Sequence, residues 1–222
     1  MDPVLELKPS LAATQATPER KRRREIRIQG YLSIMAMLAI LIPVANSLFI
    51  SGKRGIFRFL AGDTFFYLTV AKHRSWQPLF SFDGSHPTNG FHPLWQWVLK
   101  WISVAFEPDK MSLVVITFLI CVAAIAASAA LLTLSAYRLT RGRTILSLFS
   151  VVVGFVPLVA SFVVPGVGTL ASFANGMESS LSLLVFSSLL LLLLSSNVLK
   201  PVPARPLTLV AASLLLSLVV LA

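Results

Sequence analysis

Charge is scarce in this chain and one-sided where it occurs: 13% of its 222 residues are charged, 19 Lys and Arg against 9 Asp and Glu. With 56% of residues hydrophobic, a soluble fold would have too little polar surface to cover itself. Several uncharged runs approach the length needed to cross a bilayer. Cysteine is represented by Cys121 alone, inside an apolar run, which excludes an internal disulfide and leaves the redox compartment unspecified. His86 and His92 stand at a spacing that matches no compact metal motif, and no cysteine lies near them to complete a structural zinc site. Internal repeats are lacking too; LLVFSSLLLLLLSS has the low complexity of a lipid-facing helix. The net charge of +10 would suit nucleic acid, but Arg20, Lys21, Arg22, Arg23, Arg24 and Arg27 stand immediately before the first apolar run. Membrane orientation and contact with anionic lipid explain them more economically, so nucleic acid is not an expected partner.

The apolar runs define the expected frame. Residues 1–28 are mixed and polar and end in the basic cluster, which predicts a disordered cytoplasmic tail. Residues 30–50 are uncharged and long enough to span, with Pro43 placed to bend the helix. No small-residue cleavage site follows, so this run reads as a retained anchor. The six cations before it outweigh Lys53, Arg54 and Arg58 beyond it, which favours a cytoplasmic N-terminus. Further spans are expected at 111–137, 145–164, 179–196 and 207–222, with Arg138, Arg141 and Arg143 and then Lys200 and Arg205 on the cytoplasmic side. The expectation is an all-α polytopic membrane protein with about five transmembrane helices. Its membrane domain covers 29–222, and short juxtamembrane helices lie in an outer loop at 51–110.

Within that loop, FHPLWQWVLKWISVAF at 91–106 is short for a straight crossing. Gln96, Lys100 and Ser103 fall on one helical face, while Leu94, Val98, Trp101, Ile102 and Ala105 occupy the others. Together with Trp95 and Trp97, this pattern predicts an interfacial or re-entrant helix whose Lys100 reaches water and whose apolar faces meet lipid or neighbouring spans.

The same loop holds most of the polar chemistry. Asp63 opens a helical pattern that places its carboxylate and Tyr67 on one face, either as a helix cap or as a base within reach of a hydroxyl. Asp83 lies in FDGS, where a turn is the simpler reading. Glu178, after Asn175, Gly176 and Met177, stands at a span entrance, where a carboxylate suits the positive end of the helix or a site. Lys72, His73 and Arg74 close the first short helix, where cations suit the dipole and are also available to a lipid phosphate. Asn89 and Gly90 are first of all a turn signal, and the polar side chains there, with Thr88 and His92, are also available to line a sugar site.

At GDTFFYLTVAKH, FSFDGSHPTNGFHPLW, the Arg-rich turn and NGMESSLSLLV, the chain resembles the N-terminal part of bacterial GT-C membrane glycosyltransferases. The nearest groups are the lipopolysaccharide-core sugar transferases and the aminoarabinose transferase. The resemblance covers roughly residues 30–196. It implies a multi-pass protein of the bacterial inner membrane that moves a sugar from a polyprenyl-phosphate donor to a lipid, glycan or protein acceptor on the outer side. Asp63 then matches the first-loop catalytic carboxylate and Glu178 the acidic position at the fourth span. Tyr67, Lys72, Arg74, Asp83, Thr88, Asn89 and His92 become candidates for binding the donor phosphate or the sugar. Relatives often carry adjacent acidic residues where this chain has Gly62 and Asp63, so no metal ligand set is assigned, and a divalent cation is left open as the sole cofactor. Family members usually run to several hundred residues, whereas this chain stops in an apparent span. The expectation is therefore an incomplete module, with membrane lipids and a second subunit supplying missing helices among its partners. The alternative is a non-catalytic membrane protein that binds polyprenyl lipid or a partner. Transport is disfavoured, because the spans carry almost no charge at mid-membrane.

Overall fold

The computed structural model describes residues 18–73, 80–88, 92–140, 145, 176–196 and 206–221. The described residues form helices joined by turns, with no strand among them. In chain order these are α1 (Pro18–Ser51), a 3-10 helix (Gly52–Arg58), α2 (Thr64–Lys72), α3 (Pro93–Phe106), α4 (Lys110–Leu139), α5 (Ser179–Ser195) and α6 (Pro206–Leu221). The expected span at 145–164 lies outside the described residues except for Ile145, as do Arg74, Asn89, Arg141, Arg143, Lys200 and Arg205.

Two helices, α1 and α4, are long and apolar enough to cross a membrane, while α5 and α6 are shorter apolar helices. α1 runs for 34 residues. Of the expected tail at 1–28, residues 18–28 are helical and continuous with the apolar segment, while 1–17 lie outside the described residues. The reason is local: Arg and Lys are good helix formers, and Arg23 pairs with Glu19 one turn earlier at 2.6 Å. Pro43 sits inside the helix. Ala36, Ile40 and Val44, a row at four-residue spacing, enter the same core as Phe118, Cys121, Val122, Ile125, Ala126 and Ala129 of α4. Small residues on α4 let the two helices approach closely.

α4 is the central element, packed against both α1 and α5. Its start is fixed by Asp109, whose side chain accepts from the backbone N–H groups of Met111 at 2.9 Å and Ser112 at 3.1 Å. Just before it, Glu107 takes the left-handed conformation that closes α3, and Pro108 cannot continue a helix. α5 also packs on α6, and α3 lies against α2 and meets α6.

α3 corrects a second expectation. Its polar stripe faces inward: Gln96, Lys100 and Ser103 are buried, whereas Trp101, Ala105 and Phe106 are exposed. Lys100 is 1% exposed and its ammonium donates to the carbonyl of His73, so it does not reach water. The physical reason is that α2 ends beside α3, and the last carbonyls of α2 need donors that a lysine supplies.

Candidate functional site

α2 begins where three separate parts of the chain meet. Thr64 is fully buried against Gly176, whose φ of +80° is a conformation that favours glycine. A Cβ on Gly176 would collide with Cγ2 of Thr64 and come within 2.9 Å of Leu60 Cδ2 and Thr64 Oγ1. The carbonyl of Gly176 accepts from the indole N–H of Trp95 at 3.0 Å, which ties the entrance of α5 to α3. Met177 lies beside Cys121 of α4.

This convergence places Glu178 against α2 and α3. The Tyr67 hydroxyl donates to Glu178 Oε2 at 3.2 Å and accepts from the His92 backbone N–H at 3.2 Å. The imidazole Nε2 of His92 lies 3.2 Å from the other oxygen, Glu178 Oε1. The Glu178 side chain is 15% exposed and that of His92 52%, so the carboxylate is held inside while the imidazole faces outward. Gln96 adds a donor to the Tyr67 carbonyl at 3.2 Å. Burial pushes the Tyr67 phenol above its ordinary pKa, and the charges of Glu178 and Asp63 act in the same direction while the His92 amide opposes them. The hydroxyl therefore stays protonated, as its donation to Glu178 requires.

Asp63 occupies the N-cap position of α2, but its side chain makes no cap hydrogen bond, and the residue is exposed. The position expected for a cap is thus filled without the capping contact, which leaves the carboxylate available next to the Tyr67–Glu178–His92 cluster.

The other candidates separate from this group. Asp83 makes the turn: its Oδ1 accepts from the Ser81 hydroxyl at 3.0 Å and from the amides of Ser85 and His86 at 2.8 Å each, and its Oδ2 meets His86 Nδ1 at 2.7 Å. These bonds, led by the one from the His86 ring, hold the Asp83 carboxyl well below the usual carboxylate range. Asp83 in turn raises the pKa of His86. The Thr88 amide closes the loop onto the Phe80 carbonyl at 2.9 Å, and Phe82 packs on Phe66 of α2 with ring centroids 5.1 Å apart. The loop braces α2 and does not join the cluster. Lys72, at the far end of α2, is about two and a half turns from Asp63 and therefore on the opposite side of the helix.

Trp95, Gln96 and Gly176 are site-building residues that sequence reasoning missed. For the first two, the available signal was a polar stripe on an otherwise apolar helix lying in a loop rich in hydrogen-bonding groups. Among the described residues, no three His, Cys, Asp or Glu side chains come together to hold a metal ion. No protein-family model matches the chain, and neither a curated protein nor a solved structure matches it.

Proposed function

We propose that this chain is the N-terminal module of a multi-pass membrane glycosyltransferase. Its cytoplasmic N-terminus is followed by about five spans, and it transfers a sugar from a polyprenyl-phosphate donor on the outer side of a bacterial inner membrane. The observation that supports this reading most is the exposed, uncapped carboxylate of Asp63 beside a cluster drawn from residues 67, 92 and 178. A positioned carboxylate and an outward-facing imidazole on one surface suit direct displacement at a sugar.

In that reaction Asp63 takes the proton of the acceptor hydroxyl as its oxygen bonds to the anomeric carbon, while the bond from that carbon to the phosphate oxygen breaks. The polyprenyl phosphate leaves with the electron pair. His92, oriented by Glu178, is the basic group of the cluster and offsets the charge of the departing phosphate when protonated. Glu178 is a positioning residue, because both of its oxygens are engaged and little of it is exposed.

The test measures donor binding and sugar transfer separately on folded protein, alone and with candidate partner chains. Asp63→Asn keeps donor binding and lowers turnover by about a hundredfold to ten-thousandfold. Undiminished transfer by this variant removes the general-base assignment. Donor binding without transfer in every wild-type combination favours a lipid-binding scaffold.

A further inference from the structure

The back of α2 carries a second concavity that the transfer reaction does not use. Phe65, Leu68, Thr69 and Lys72 lie on the side of α2 away from Tyr67, and with His73 and with Lys110, Leu113 and Val114 of α4 they line a partly open space of about 340 Å³. That volume lies within the range of small-molecule sites. Phe65, Leu68, Leu113 and Val114 make its walls largely apolar, and Lys72, His73 and Lys110 line it as well. The carboxylate next to Lys110 in the chain is already engaged: Asp109 is committed to the amides of Met111 and Ser112 and to the Ser112 hydroxyl.

The position of the groove on α4 argues for a membrane occupant. Lys110 opens α4 and Arg138 lies at its other end. The 28 helical steps from one to the other amount to about 42 Å, the thickness of a bilayer with its headgroups. If Arg138 marks one headgroup layer, Lys110 marks the other. Leu113 and Val114, about one turn further along α4, then lie on the hydrocarbon side of Lys110.

We propose that this groove is a binding site for an anionic phospholipid of the outer leaflet, separate from the sugar-donor site. Its phosphate sits between Lys72 and Lys110, and an acyl chain lies along Phe65, Leu68, Leu113 and Val114. The lipid fills the space between α2 and α4 and so braces the helix that presents Asp63 on its other face.

The full chain is reconstituted in nanodiscs of phosphatidylcholine containing a minor fraction of phosphatidylglycerol, and the lipid retained after gentle release is read by native mass spectrometry. Wild type retains one phosphatidylglycerol in preference to phosphatidylcholine. The double variant Lys72→Ala, Lys110→Ala weakens that retention by roughly thirtyfold, the factor for about 1 kcal/mol per lysine. Lys72→Arg with Lys110→Arg restores it. Thr69→Trp, which fills the partly open groove with the charges kept, also loses the lipid. Asp63→Asn, on the other face, keeps it, so failure of the transfer reading leaves this result unaffected. Equal retention of the two lipids by wild type, or unchanged retention in both the double-alanine and Thr69→Trp variants, overturns the proposal. Displacement of phosphatidylglycerol by excess inorganic phosphate alone would assign the groove to a free anion and overturn it equally.

Discussion

On one face of α2, Tyr67, Val70 and Ala71 are buried against the rest of the bundle, and the hydroxyl of Tyr67 joins Glu178 to His92. On the other, Phe65, Thr69 and Lys72 remain partly or fully open above an apolar groove. The first face is assembled from long-range contacts and holds acidic groups at the start of the helix. The second is assembled from α2, its C-cap His73 and α4, and is lined by Lys72 and Lys110. Nine helical residues therefore support two chemistries, because a helix separates what lies two and a half turns apart as effectively as a wall. The helix dipole favours the same polarity, with carboxylates near the N-terminus and a lysine in the last turn.

Both faces of α2 depend most heavily on Gly176. Its left-handed backbone and the neighbouring Thr64 leave no room for a Cβ, so Gly176→Ala is expected to destabilise the protein by at least about 1–2 kcal/mol for the conformation alone. Both faces should be affected, because Thr64 starts the helix that carries them. Thermal unfolding in nanodiscs, read by tryptophan fluorescence, checks this, and unchanged unfolding would mean that α2 and the entrance of α5 do not meet as described.

Tyr67→Phe is the sharper variant. It removes the hydroxyl between Glu178 and the His92 amide, and a donor left without its partner costs about 1–3 kcal/mol when buried. Stability and transfer should fall while retention of phosphatidylglycerol is unchanged. Loss of lipid in the same variant would show that the two faces act as one site.

The smallest expected effect lies in the bracing loop and depends on pH. Asp83 is held below its ordinary pKa, so its contribution is present above the unfolded value near 3.8 and disappears as the pH falls through the lowered folded value. The pKa of His86 is raised, so its contribution is complete below the unfolded value near 6.5 and disappears as the pH rises through the raised one. The turn is therefore tightest between about pH 4 and 6.5. Hydrogen exchange at the amides of Ser85 and His86, corrected for intrinsic rates, should show greatest protection in that window and lose it in Asp83→Asn.

Much of the frame was legible because its helices end at abrupt chemical boundaries. The expected segments at 91–106, 111–137, 179–196 and 207–222 correspond to α3, α4, α5 and α6 with ends shifted by only a residue or two, and Pro93, the capping Asp109 and Pro206 mark three of the four starts. Asp63 was legible as the start of α2 for the same reason. The orientation of α3 was not, because Gln96, Lys100 and Ser103 form the same stripe whether they face water or the carbonyls of a neighbouring helix. The contacts from Tyr67 to Glu178 and from Trp95 to Gly176 span 111 and 81 residues and leave no periodic trace in the sequence. Glu178 could be marked as a candidate, but its partners could be read only from the fold.

The separation of the two faces is tested most directly by a paired reading on Asp63→Asn in one nanodisc preparation, with sugar transfer and retained phosphatidylglycerol measured on the same sample. Turnover is expected to fall by about a hundredfold or more, with lipid retention equal to wild type. Transfer at the wild-type rate, or loss of the lipid in step with loss of turnover, would contradict it.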